Sequence, residues 1–83
     1  MEKVLVNIFV PVLRKSYDMF IPLQARMYEV LELIKKAVAE MSDGLFTADG
    51  NTVICYRNDG TILNINLSVY ELGIHNGSKL MLI

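Results

Sequence analysis

Leu72-Gly73-Ile74-His75-Asn76-Gly77-Ser78-Lys79-Leu80-Met81-Leu82 is the stretch on which the reading of this chain turns. Two glycines bracket Ile74-His75-Asn76, the mark of a loop that needs backbone conformations closed to most L-residues. Behind the loop, Lys79 to Ile83 alternates as a strand, with Leu80 and Leu82 on one side and Met81 and Ile83 on the other. Just before it, Ser68-Val69-Tyr70-Glu71 has capping-box spacing and predicts one turn of helix. The segment thus reads as turn, glycine-rich loop and strand.

Working outward, the N-terminal segment supplies a partner. Val4, Val6, Ile8 and Val10 fall on one face of a strand, with Leu5, Asn7 and Phe9 on the other. Pro11 cannot donate to a ladder and is expected to end the pairing. After a turn, Ser16 to Ile21 alternates again, with Tyr17, Met19 and Ile21 inward and Phe20 outward, and Pro22 closes a β-hairpin. Met27, Val30, Leu31, Ile34, Ala37, Val38 and Met41 then follow the 3, 4, 7 spacing of a helical stripe. Glu29, Glu32, Lys35, Lys36 and Glu40 take the solvated side, where Glu32 and Lys36 have the favourable i, i+4 order, worth about 0.3 kcal/mol. The helix begins between Gln24 and Tyr28, where no Ser, Thr, Asp or Asn offers a cap. It stops at Ser42-Asp43-Gly44, with Gly44 suited to the left-handed position. Thr52 to Tyr56 reads as a third strand, with Val53 and Cys55 inward and Ile54 and Tyr56 outward. Asn58-Asp59-Gly60 is a tight turn, and Ile62 to Ile65 a short returning strand. The order is ββαβββ, an α+β arrangement with one helix on one face of a mixed sheet of four to five strands.

Composition narrows the function. A chain of 83 residues buries only about 60% of its unfolded surface, which suits one small domain over residues 1–83. Lys plus Arg total 8 against 9 for Asp plus Glu, a formal net charge of −1. Such a balance gives no footing for nucleic-acid binding or for attraction to anionic lipid. One Cys and one His leave disulfide, metal and triad chemistry short of parts. Neither a signal peptide nor an apolar run of about 18 residues is present, so no direct membrane insertion is expected, and the lone Cys suits a reducing cytoplasm. No catalytic, cofactor or metal residue is assigned, and the chain reads as not an enzyme.

The Leu72 to Leu82 segment, with the hairpin and the Val30 to Val38 helix upstream, resembles the closing part of ubiquitin-like β-grasp domains over essentially the whole chain. The length and the Tyr17-Asp18-Met19 region are further similar to the bacterial YukD/EsaB group, cytoplasmic accessory proteins of type VII (WXG-type) secretion systems. That resemblance implies a β-grasp sheet whose first and last strands lie side by side, with the third strand next to the last. Relatives that are conjugated, or that carry sulfur, use a flexible tail ending in two glycines. Here the sequence ends at Ile83 without one, so such chemistry is expected to be absent. The iron–sulfur branch needs four Cys, and Cys55 is alone.

Single residues offer little chemistry. Cys55 is expected to be a buried, inert thiol, with Arg57 two residues on as the candidate activating cation. His75 is expected in an exposed loop. The positions of interest are apolar ones turned away from the helix: Leu5, Phe9, Phe20, Ile54, Tyr56, Met81 and Ile83. On the β-grasp strand order these seven form one contiguous patch on the open sheet face, the usual partner surface of ubiquitin-like domains, and exposed apolar clusters of a few hundred Å² mark interfaces. The expectation is a non-enzymatic protein-interaction module whose partner, by resemblance, is a type VII secretion component. Two alternatives stand beside it: a carrier domain whose C-terminal tail is absent from this chain, and a self-associating homodimer.

Overall fold

Hydrophobic alternation in the first ten residues sets the frame. The computed structural model describes residues 2–83, and in it Val4, Val6, Ile8 and Val10 are buried along strand β1 (Lys3–Val10). Pro11 opens a single 3-10 turn (Pro11–Leu13), and Arg14 takes a left-handed φ of 54° to reverse the chain into β2 (Lys15–Pro22). The hairpin is antiparallel, with Leu5 opposite Phe20 and Val6 opposite Met19. Helix α1 (Met27–Met41) follows, and then β3 (Ile54–Tyr56) and β4 (Lys79–Leu82). The sheet order is β2-β1-β4-β3, with β1 and β4 parallel and β3 and β4 antiparallel. This is a ubiquitin-like β-grasp: a four-stranded mixed sheet with one helix.

The helix buries Met27, Val30, Leu31, Ile34 and Val38. They form one core with the four inward β1 residues, Ile21, Ile54, Leu80 and Leu82, and with Phe46, Leu63, Val69 and Ile74 from the connecting loops. Met41, predicted as the last member of the stripe, is instead exposed. The buried line continues from Val38 by a step of four to Ser42, whose Oγ donates to the Ala39 carbonyl at 3.3 Å and accepts from the Phe46 N–H at 3.1 Å. The chain reverses there through a Schellman motif. The Gly44 N–H reaches the Ala39 carbonyl (2.8 Å) and the Asp43 N–H the Glu40 carbonyl (3.1 Å). Asp43, at φ 53°, holds the left-handed position next to the cap that was expected of Gly44, which follows at φ 80°.

Two sequence expectations meet in one finding. The helix lacks a side-chain cap at Arg26, and the predicted strand at Ile62 to Ile65 is reduced to a single bridge from Ile62 to Cys55. Beyond Leu63 the chain leaves the sheet in a turn made by Asn64, whose Oδ1 accepts the Asn66 N–H at 3.0 Å. The Ile65 and Leu67 carbonyls then accept the N–H groups of Tyr28 (3.0 Å) and Met27 (2.8 Å). Helix donors that no side chain caps are thus satisfied by carbonyls of this loop, one of them Ile65 at the end of the predicted strand. The capping box is present as predicted: Ser68 N–H donates to Glu71 Oε1 (2.9 Å) and Glu71 N–H to Ser68 Oγ (3.0 Å), closing a turn.

Candidate functional site

The helix covers one face of the sheet, and the rows of side chains on the other face follow from the pairings. Partners across a ladder point to the same side. Leu5 and Phe20 form one row. The next is Asp18, Asn7 and Lys79, extended by Arg57, whose N–H bonds the Lys79 carbonyl at 3.1 Å. The third is Ser16, Phe9, Met81 and Cys55. Val53 and Ile83 exchange both backbone hydrogen bonds (2.8 and 3.0 Å) and make the last.

Five of the seven predicted residues lie on this open face. Leu5 is 38% exposed, Phe20 66% and Ile83 52%, and Phe9 and Met81 are half-buried among their neighbours. Two do not. Ile54 pairs with Leu82 and Tyr56 with Leu80, both core residues, so the third strand faces the opposite way from expectation. Ile54 is 1% exposed beneath the helix. Tyr56 packs against the same core and donates its hydroxyl to the Leu72 carbonyl at 2.7 Å. The sequence Val53-Ile54-Cys55-Tyr56 is apolar throughout, so alternation alone leaves its facing undefined. Arg57 was the usable marker: a charge belongs outside, and period two then sends Cys55 and Val53 outward with it.

Nor is the apolar surface one patch. The polar row of Asp18, Asn7, Lys79 and Arg57 runs across it, separating Leu5 and Phe20 from Phe9, Met81 and Ile83. Asn7 Nδ2 donates to Asp18 Oδ1 at 3.0 Å, while Asn7 Oδ1 is buried without a hydrogen-bond partner among the described residues. Arg57 bends out of its row to lay its guanidinium over the Phe9 ring, 4.2 Å from the centroid. Missing from the expected set were Arg57, Lys79 and Asn7; their outward parity on the strands was the signal that could have found them.

Cys55 is buried as expected, though on the open-face side, between Met81 and Ile62. Burial first, and the Asp59 carboxylate second, push its thiol above the ordinary value. Arg57 is turned to Phe9, so the thiol lacks the cation an activated cysteine needs. His75 is exposed, and its Nδ1 lies 2.9 Å from the Asn76 carbonyl, which makes that nitrogen the protonated one. Among the described residues no group of three His, Cys, Asp or Glu side chains could hold a metal ion, and no helix is long and apolar enough to cross a membrane.

With this geometry in view, the solved structures it resembles are informative. The EccD5 ubiquitin-like domain from Mycobacterium xenopi is similar at a TM-score of 0.84 and 22% identity, over 100% of this chain and 94% of that one. The ubiquitin-like domain of the type VII secretion system protein EccD1 from Mycobacterium tuberculosis follows at 0.80 and 22%, over 100% and 99%. A chain of the MycP5-free ESX-5 inner membrane complex is similar at 0.72 and 17%, where this chain matches over its whole length but spans only 21% of that one. These likenesses establish the ubiquitin-like fold. No protein-family model and no curated protein matches the sequence.

Proposed function

We infer that residues 1–83 form one ubiquitin-like domain acting as a non-enzymatic protein-interaction module, and that its open sheet face docks a component of a bacterial type VII secretion system on the cytoplasmic side. The observation that carries this is Phe20, 66% exposed on the uncovered face beside Leu5. A large aromatic held on a rigid strand and left in water is the kind of group that anchors an interface. The secretion assignment draws on the YukD/EsaB resemblance and on the similarity to the ubiquitin-like domain of the type VII secretion system protein EccD1. Fold alone does not carry function, so the assignment is put to the following test.

Affinity capture from the source cells, compared between the wild type and Phe20→Asp, reads the proposal directly. Type VII secretion components should be retained by the wild type and by a surface control, Val12→Asp, and lost by Phe20→Asp. Equal retention by all three contradicts docking through this face. Light scattering at micromolar concentration separates a foreign partner from a second copy, and a monomer is expected.

A further inference from the structure

At the end of the sheet, where the chain leaving β3 after Arg57 diverges from the loop leading into β4, lies an open cleft of about 640 Å³. Arg57, Asn58, His75, Gly77 and Lys79 are among its walls, and no Asp or Glu lines it. In a chain of formal net charge −1, two cations and an imidazole therefore share one concavity. Neither cation is spoken for: among the described residues Arg57 and Lys79 form no ion pair. Asp59, on the same turn as Arg57, is engaged instead by the Thr61 N–H at 2.9 Å. The Arg57 guanidinium is already fixed by its stack on Phe9 at 4.2 Å, so its free edge is presented with little further ordering to do.

Resting on the docking reading above, we propose that this cleft receives an aspartate or glutamate side chain of the partner, from an extended segment that sets an apolar side chain two residues away onto Met81, beside the Phe9 ring that the guanidinium covers. The spacing fits. Lys79 and Met81 are two residues apart on β4 and share the outward face, about 6.8 Å along the strand. Alternate side chains of an extended partner segment have the same separation. Guanidinium and ammonium together suit a carboxylate, by paired N–H donation from Arg57 and point charge from Lys79. Nucleic acid is disfavoured, since its binding draws chiefly on neutralising many phosphates and the cleft offers two cations. A free small anion would leave Met81 unused.

The test is an amide chemical-shift titration of the intact chain with three probes: a synthetic peptide repeating Asp-Ser-Leu-Ser, in which aspartate and leucine lie two residues apart on one face, its counterpart with asparagine for aspartate, and inorganic phosphate. The aspartate peptide should shift Arg57, Asn58 and Lys79 together with Phe9 and Met81, and bind about tenfold more tightly than the asparagine peptide. Lys79→Gln and Arg57→Gln, both at exposed positions, should each remove most of that difference while leaving the remaining spectrum in place. If the two peptides bind alike on Phe9 and Met81, the carboxylate site is overturned while the docking face stands. Phosphate shifting Arg57 and Lys79 where neither peptide does also overturns it. No shift with any probe overturns it as well, and capture with Phe20→Asp then judges the docking reading separately.

Discussion

Ile54 and Phe20 look alike in the sequence and differ completely in the structure. Ile54 sits under the helix, so Ile54→Ala should cost about 3 kcal/mol in urea denaturation, whereas Phe20→Ala on the open face should stay within about 0.5 kcal/mol. An Asp at position 54 would bury an unpaired charge and unfold the chain, which makes that position unusable as a probe of binding. Cys55 belongs to the same contrast. Its buried, upshifted thiol should react with a disulfide reagent far more slowly in the native protein than in denaturant; equal rates would show the strand edge open. Glu71 gives a pH-dependent case. Its carboxylate is held below the usual range by the Ser68 N–H first and the Ser68 hydroxyl second, with Arg26 contributing. The folded state therefore favours the ionised form. Its contribution is complete above the unfolded value of about 4.3 and disappears as pH falls through the lower folded value. The stability gap between wild type and Glu71→Gln should be present at neutral pH and close in acid, read from urea midpoints at both.

At the scale of elements, the helix was legible because seven apolar residues share one period, and β1 because its polar and β-branched positions separate cleanly. Its ends were less so. The start is capped by carbonyls of residues 65 and 67, which lie far away in sequence and cannot be seen from local composition. The fifth strand was overread for a related reason: Ile62 to Ile65 has the residues of a strand, but the Asn64 carbonyl turns back to the Leu67 N–H and the Ile65 carbonyl goes to the helix. The stop was read one residue late. Asp43, an L-residue at φ 53° at the negative end of the helix dipole, is strained twice over. Asp43→Gly should raise stability by about 1 kcal/mol, measured by thermal or urea unfolding. A loss would mean that the Asp43 side chain supports the reversal.

Across the whole molecule, strand order, the covered face and five of seven surface residues were available from alternation plus the ubiquitin-like resemblance. The division of the open face was not, because it depends on cross-strand register, which aligns Asp18, Asn7 and Lys79 in a row from three separate stretches of chain. That row changes what the surface can bind, from a merely greasy partner to one carrying charge among its apolar groups. The uncovered side of the sheet is the side a partner should use. Radical footprinting of the chain with and without its captured partner reads this directly at Phe9, Phe20 and Met81 on that side, and at Tyr28 and Leu33 on the exposed helix surface. Oxidation of the first three should fall on complex formation while Tyr28 and Leu33 are unchanged; protection of Tyr28 and Leu33 with Phe20 still fully reactive would show that the partner docks on the helix side instead.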